Sequence, residues 1–197
     1  MKLKPEQYLA ISQLVLGACI LLCLAIIPHY FFSFDQGGVS NYGTKLATVA
    51  PYSLGFGVAA LGTLMASFSL PANVPRRTVM RFGLLGLSLL YGLALVSTFQ
   101  YKLNASHRHL HEQLAVALFL GMLLGALWLR FVALKEDVSI RRAFILFAVG
   151  FLAAVLTFFG PLHMLFSSQI TCGASFGYML THGVKTLTTN LTPAAMP

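Results

Sequence analysis

The chain alternates long apolar stretches with short polar turns, and this alternation limits what it can fold into more than any other feature. An apolar stretch of about 20 residues can cross the hydrocarbon core of a bilayer as an α-helix. Five stretches reach that length clearly, and a sixth is interrupted by His182 and Lys185. The predicted spans are Tyr8 to Phe32, Pro51 to Leu70, Val79 to Phe99, Leu110 to Leu134, Ala143 to Phe166 and Ile170 to Leu187.

The composition excludes an ordinary soluble protein. Hydrophobic residues make up 57% of the 197 positions and charged residues only 9%, whereas soluble proteins carry about 25% charged residues. The turns between the apolar stretches are too short to hold a soluble domain. We therefore expect a single all-α domain over residues 1–197, a polytopic transmembrane helical bundle in an inner or plasma membrane.

The basic residues predict the orientation of the bundle and argue against binding to nucleic acid. The net charge is +8, but Lys and Arg occur in short runs between the apolar stretches rather than in one patch. Ten lie on one predicted side, namely Lys2, Lys4, Arg76, Arg77, Arg81, Arg130, Lys135, Arg141, Arg142 and Lys185. Only Lys45, Lys102 and Arg108 lie on the other. Because basic residues concentrate in cytoplasmic loops, both termini are predicted to be cytoplasmic if the sixth stretch crosses.

Small residues repeat along one face of the second predicted helix, at Gly55, Ala59, Gly62 and Ala66. Membrane helices associate where small side chains allow their backbones to approach closely. This face predicts close packing against a neighbouring helix. Similar small-residue faces would also allow a helix-mediated homo-oligomer.

Ionisable residues are missing from the centres of the first five stretches, where Gln13 is the main strongly polar side chain in the first helix. Ionisable groups at membrane depth usually mark ion paths or proton relays. Their absence from the sequence at this depth disfavours a proton-coupled transporter or an ion pump.

Histidines gather on the side opposite to most of the basic residues. Five of the six are predicted there, namely His29, His107, His109, His111 and His163. If the chain is helical at His107, then His107 and His111 share one face at a spacing that can ligate zinc. The candidate metal ligands are His29, His107, His111 and His163. Glu112 or Asp35 would serve as the general base of a metal-dependent membrane hydrolase acting on a lipid or its headgroup.

The same histidines allow other interpretations. Two imidazoles on facing helices can hold a haem iron, for which His29, His111 and His163 are the candidates. Interfacial histidines also contact lipid headgroups, titrate near neutral pH, or simply end amphipathic helices. The leading expectation is an integral membrane protein without a cofactor that binds a membrane lipid or a partner through its outer face.

The first outer loop, Ser33 to Ala50, is the longest connection. Its glycines favour tight turns or a close approach to a ligand. Ser40, Asn41 and Tyr42 are candidate ligands for a lipid headgroup, and the loop could fold as a lid over the histidines. An ordinary connecting loop is the alternative.

The layout and this loop resemble the DRAM-like six-helix integral membrane proteins and related bacterial families of unknown function. The resemblance consists of a short N-terminal tail, six helices, the Ser-x-x-Gly element from Ser40 to Gly43, and Pro51 at the start of the second helix. An acidic residue is expected beside the serine, where this chain has Asn41. The resemblance implies a role in membrane and lipid biology rather than a defined reaction.

Overall fold

A computed structural model describes residues 3–28, 38–100, 105–159 and 164–189. Within these ranges the chain forms six long α-helices and no strand, which confirms the predicted all-α fold. The helices are α1 (Pro5–Ile26), α2 (Val49–Ser69), α3 (Arg77–Gln100), α4 (Ala105–Trp128), α5 (Val138–Phe158) and α6 (Leu165–Thr189). A short 3₁₀-helix (Val39–Thr44) precedes α2, and a π-helical turn (Leu129–Ala133) continues α4.

The helices form an antiparallel bundle in which α1 packs against α2, α2 against α3, and α3 against α4. Helix α6 packs mainly against α5 and α1, and it touches α4 more lightly. One end of the bundle carries residues 38–48 and the starts of α4 and α6, and we call it the first-loop end. The opposite end, the N-terminal end, carries the starts of α1, α3 and α5.

Two helix ends differ from the predicted ones because a proline or a capping side chain determines them. The predicted end of the first span at Phe32 is wrong, because α1 ends at Ile26. Pro28 disfavours a helical conformation at the residue before it and has no N–H to donate. Helix α5 begins before the predicted Ala143, because the Asp137 carboxylate accepts a hydrogen bond of 3.0 Å from the Ile140 N–H and caps the helix.

The surface of the bundle is apolar, as expected of a protein in a bilayer. Five of the described helices are long and apolar enough to cross a membrane, the fourth running from Ser106 to Ala133. Large apolar side chains such as Leu61, Phe82 and Leu124 are exposed on their outer faces. The chain is therefore a multi-pass membrane protein.

Helix α6 is more polar than the other five and runs the length of the bundle. Gln169 contacts the first loop at one end, and His182 contacts Asp137 at the other. The hydroxyl-rich face of α6 is covered by its neighbours, and Ser168 and Ser175 are buried. Burial against protein explains why its sequence gives a weaker hydropathy signal than a lipid-facing helix. A sixth membrane crossing stays a prediction.

Threonine hydroxyl groups in the bundle donate to carbonyl oxygens of their own helices. Thr63, Thr98 and Thr157 each donate to the carbonyl oxygen four residues earlier, over 2.7 to 2.8 Å. Such bonds leave no donor to face hydrocarbon. Ser88 instead donates across to the Ala60 carbonyl of α2 at 2.8 Å, which ties α3 to its neighbour.

A close helix approach joins α1 to α2 through the predicted small-residue face. A Cβ atom added at Gly62 would lie 2.6 Å from the Ser12 hydroxyl oxygen and 3.0 Å from the Tyr8 carbonyl oxygen. Ala59 and Ala66, on the same face, are fully buried. The prediction that this face packs against a neighbouring helix is thus confirmed.

We expect Gly62→Ala to destabilise the bundle by about 1 to 3 kcal/mol, because α1 and α2 must separate to admit the methyl group. Gly57→Ala on the same helix is the matched control, since nothing lies within 4 Å of the added Cβ atom there. Thermal unfolding of both variants in lipid nanodiscs measures the difference. Equal stability of the two variants would contradict the close approach.

Candidate functional site

A groove of about 620 Å³ opens between α1, α4 and α6. Apolar side chains supply most of its lining, and its inner wall is formed by Tyr52 and Phe56 of α2 and by Tyr91 of α3. Gly17 of α1 and Gly173 of α6 also line it, and nothing lies within 4 Å of a Cβ atom built at either position. These two glycines therefore keep space open rather than bring helices together.

The rim of the groove includes leucines that face the surroundings of the bundle. Leu14 and Leu21 of α1 line it and are 74% and 67% exposed. Leu14 lies near the middle of α1, so this part of the rim is level with the hydrocarbon core. The groove therefore has an opening through which an apolar molecule could enter from the bilayer.

Gln13 and Tyr91 both line the groove, near the middle of their helices. The Gln13 Nε2 atom is buried and has no partner among the described residues, a condition it shares only with Oε2 of Glu6. A buried donor left unsatisfied costs about 1 to 3 kcal/mol. Glu6 is not part of the groove lining.

His111 lines the groove nearer the first-loop end and is only 6% exposed. Its Nδ1 atom lies 3.0 Å from the Ser97 hydroxyl oxygen, and this hydroxyl donates to the Ala94 carbonyl at 3.0 Å. Ser97 thus fixes the imidazole ring against the groove wall.

The first loop closes over this end of the groove. The Val39 N–H donates to the Gln169 side-chain oxygen of α6 at 2.7 Å, and Val39 and Ser40 both line the groove. Gly43 lets the loop approach α2 and α3, because an added Cβ atom would lie 2.6 Å from the Tyr52 ring. The described part of the loop therefore packs against α2, α3 and α6.

The three loop residues predicted as headgroup ligands have different surroundings. Ser40 reaches the groove. Tyr42 is buried beside it, where its ring packs edge-on against Phe166 at 5.8 Å and its hydroxyl donates to the Ile27 carbonyl at 3.4 Å. Asn41 donates its N–H to the Gly38 carbonyl at 3.0 Å. The structure thus brings Ser40 to the groove, and Asn41 and Tyr42 shape the loop.

The predicted metal and catalytic residues are only partly described. Helix α4 begins at Ala105, so His107 and His111 do share a helix face. Glu112 lies on the exposed side of α4, where its carboxylate pairs with Arg108 at 3.3 Å and His109 at 3.5 Å. Asp35, His29 and His163 lie outside the described residues.

Metal binding therefore stays a prediction. Among the described residues, no group of three or more His, Cys, Asp or Glu side chains is placed to hold a metal ion. The predicted zinc site needs His29 or His163 as a ligand in addition to His107 and His111. The predicted haem site also needs His29 or His163, as the second ligand, if His111 is the first.

A hydrogen-bonded contact between Asp137 and His182 lies at the N-terminal end and was not anticipated from the sequence. The His182 Nε2 atom is 2.9 Å from an Asp137 carboxylate oxygen, and their side chains are 29% and 18% exposed. The His182 ring stacks on Tyr178 of the groove lining, with centroids 5.6 Å apart. The sequence separation of 45 residues hides the pair from any local pattern.

The surroundings of Asp137 lower its pKa below the ordinary value of 3.8. Burial by itself raises the pKa of this carboxyl, but hydrogen bonds from the Ile140 N–H and from His182, together with the positive charge of His182, lower it by more. A carboxylate with a lowered pKa stabilises the folded state fully above its unfolded pKa. That contribution is lost as the pH falls through the folded pKa.

We expect Asp137→Asn to lower stability at neutral pH by about 1 to 2 kcal/mol, because it removes the charged hydrogen bond to His182 but keeps an oxygen to cap α5. The variant should also lose less stability than the parent as the pH falls to about 3, since it has no carboxylate to protonate. Unfolding in nanodiscs across this range measures both effects.

Glu136→Gln is the matched control, because the Glu136 side chain is 89% exposed and lies 4.0 Å from Lys135. Such a surface pair contributes little to stability. If the Asp137→Asn variant kept the pH dependence of the Glu136→Gln control, another group would be responsible for it.

Comparisons with known proteins add no relative to this description. No protein-family model, curated protein or solved structure matches the chain. The resemblance to DRAM-like proteins therefore rests on the loop and the layout alone, and the case for a function rests on the groove.

Proposed function

We propose that this multi-pass membrane protein binds one lipid molecule from the bilayer in the groove between α1, α4 and α6. The observation that carries the proposal is an apolar groove of about 620 Å³ whose rim is exposed at the depth of the hydrocarbon core. Small-molecule pockets commonly have volumes of about 300 to 1,000 Å³. The hydrocarbon chain of a lipid lying in the groove would cover the apolar side chains that line it.

The polar groups at the first-loop end suit the polar part of such a lipid. His111, Gln169 and Ser40 line this end and bring hydrogen-bonding side chains together. The distribution of the basic residues supports an extracytoplasmic location for the first-loop end. The proposed site therefore takes its lipid from the outer leaflet of an inner or plasma membrane.

Helix α6 supports the proposal because it forms one side of the groove although it is the least apolar of the six helices. Its Gly173 and Gly177 are both groove residues. We propose that α6 crosses the membrane as a sixth span, with its polar side chains turned to protein and to the bound lipid. Both termini would then be cytoplasmic.

Substitutions that fill the groove with a larger side chain test whether it binds lipid. We expect Gly17→Leu and Gly173→Leu each to reduce the lipid that copurifies with the protein by on the order of tenfold, since overpacking costs about 1 to 3 kcal/mol. The measurement is native mass spectrometry of the protein released from nanodiscs, followed by analysis of the extracted lipid.

Gly86→Leu on α3 is the matched control, because this glycine also has open space around its Cβ position but lies outside the groove. All three variants gain the same helix propensity, so propensity does not separate them. Lipid retention that is equal in the groove variants and in the control would rule out the groove as the binding site.

A further inference from the structure

We propose that the groove selects a lipid whose hydrogen-bond acceptor lies within the hydrocarbon core, of the isoprenoid quinone class, and that Gln13 donates to its carbonyl oxygen. The inference rests on the proposed function, because it requires that the groove holds a lipid. It adds the chemical class of the lipid and the residue that recognises it.

The depth of Gln13 in the membrane follows from its position along α1. Gln13 is the ninth of the 22 residues of α1. With a rise of about 1.5 Å per residue, it lies about 12 Å from the start of the helix and within a few ångströms of its midpoint. The hydrocarbon core is about 30 Å thick, so Gln13 is near the middle of the membrane. Polar side chains at this depth are costly, and they usually mark a binding site or a transport path.

The two ends of the Gln13 amide have different surroundings. A Cβ atom built at Gly177 of α6 would lie 2.8 Å from its Oε1 atom, so the α6 backbone packs directly on the amide. Its Nε2 amino group is buried without a partner among the described residues. A group that can only donate needs an acceptor from the ligand.

Aromatic rings in the groove lining suit a planar head group. Tyr52 and Phe56 line the groove with Tyr91. The centroids of Tyr52 and Phe56 are 4.6 Å apart, and those of Phe56 and Tyr91 are 6.1 Å apart in an edge-on arrangement. Flat rings pack favourably against such a wall. The apolar remainder of the groove can hold the start of an isoprenoid tail.

Other lipids match this position less well. The ester carbonyls of a glycerolipid lie at the edge of the hydrocarbon core, about 15 Å from its middle. The carboxylate of a fatty acid would have to lose its charge to reach Gln13. A quinone is neutral and carries its carbonyl groups on an apolar ring, so it can present an acceptor at mid-depth at no cost in charge.

The experiment measures the retention of a short-tailed ubiquinone analogue by the full chain in nanodiscs of defined phospholipid. We expect Gln13→Leu to weaken retention of this quinone by about fivefold, since it removes the donor and nearly preserves the volume. Retention of an isoprenoid hydrocarbon of matched length without carbonyl groups should not change. Gly177→Ala should weaken quinone binding as well, because the added methyl group displaces the Gln13 amide.

The controls separate this inference from the proposed function. Gln13→Leu removes an unsatisfied buried amide, so its thermal stability should equal or exceed that of the parent, which excludes unfolding as the cause of any loss. If both variants retain the quinone normally while Gly173→Leu abolishes lipid binding, the inference is wrong and the proposed function stands. If Gly173→Leu has no effect on any lipid, both are wrong. A loss of phospholipid rather than quinone in Gln13→Leu would also overturn the assignment.

Discussion

The close approach of α1 to α2 is the contact on which the other features of the bundle depend. Helices in a bilayer gain no hydrophobic free energy from contact with one another, so close packing of small side chains must hold them together. Gly62 lets the α2 backbone lie directly on Ser12 and Tyr8. Helix α1 is thereby fixed along one side, and an adjacent side, with Gln13 and Gly17, forms a wall of the groove.

Helix α6 completes the groove because polar contacts hold it at both ends. Gln169 accepts the Val39 N–H at the first-loop end, and His182 pairs with Asp137 at the other. Between these contacts, Gly177 packs on Gln13 while Gly173 leaves open space. A helix held at its two ends can thus contact α1 closely at one level and leave a gap at the next. The groove is this gap, bounded on its third side by α4.

The elements were largely predictable from the sequence, and their ends were less so. Apolar length alone marks five spans, because a bilayer requires it of any crossing helix. The end of α1 was predicted too late because the run of apolar residues continues past Pro28, which stops the helix in spite of its apolar surroundings. The start of α5 depends on Asp137, a polar residue that hydropathy alone assigns to the preceding turn.

The sequence by itself determined that this is an all-helical membrane protein, which helix face packs through small residues, and that Gln13 is an unusual side chain in an apolar helix. These properties follow from the composition of a single segment and from the spacing of its residues along a helix. Only the tertiary structure decided that Gln13 packs on Gly177, that His111 is held by Ser97, and that His182 pairs with Asp137. Each of these contacts joins two different helices, and the relative rotation and height of two helices follow from the packing of the whole bundle rather than from either sequence segment.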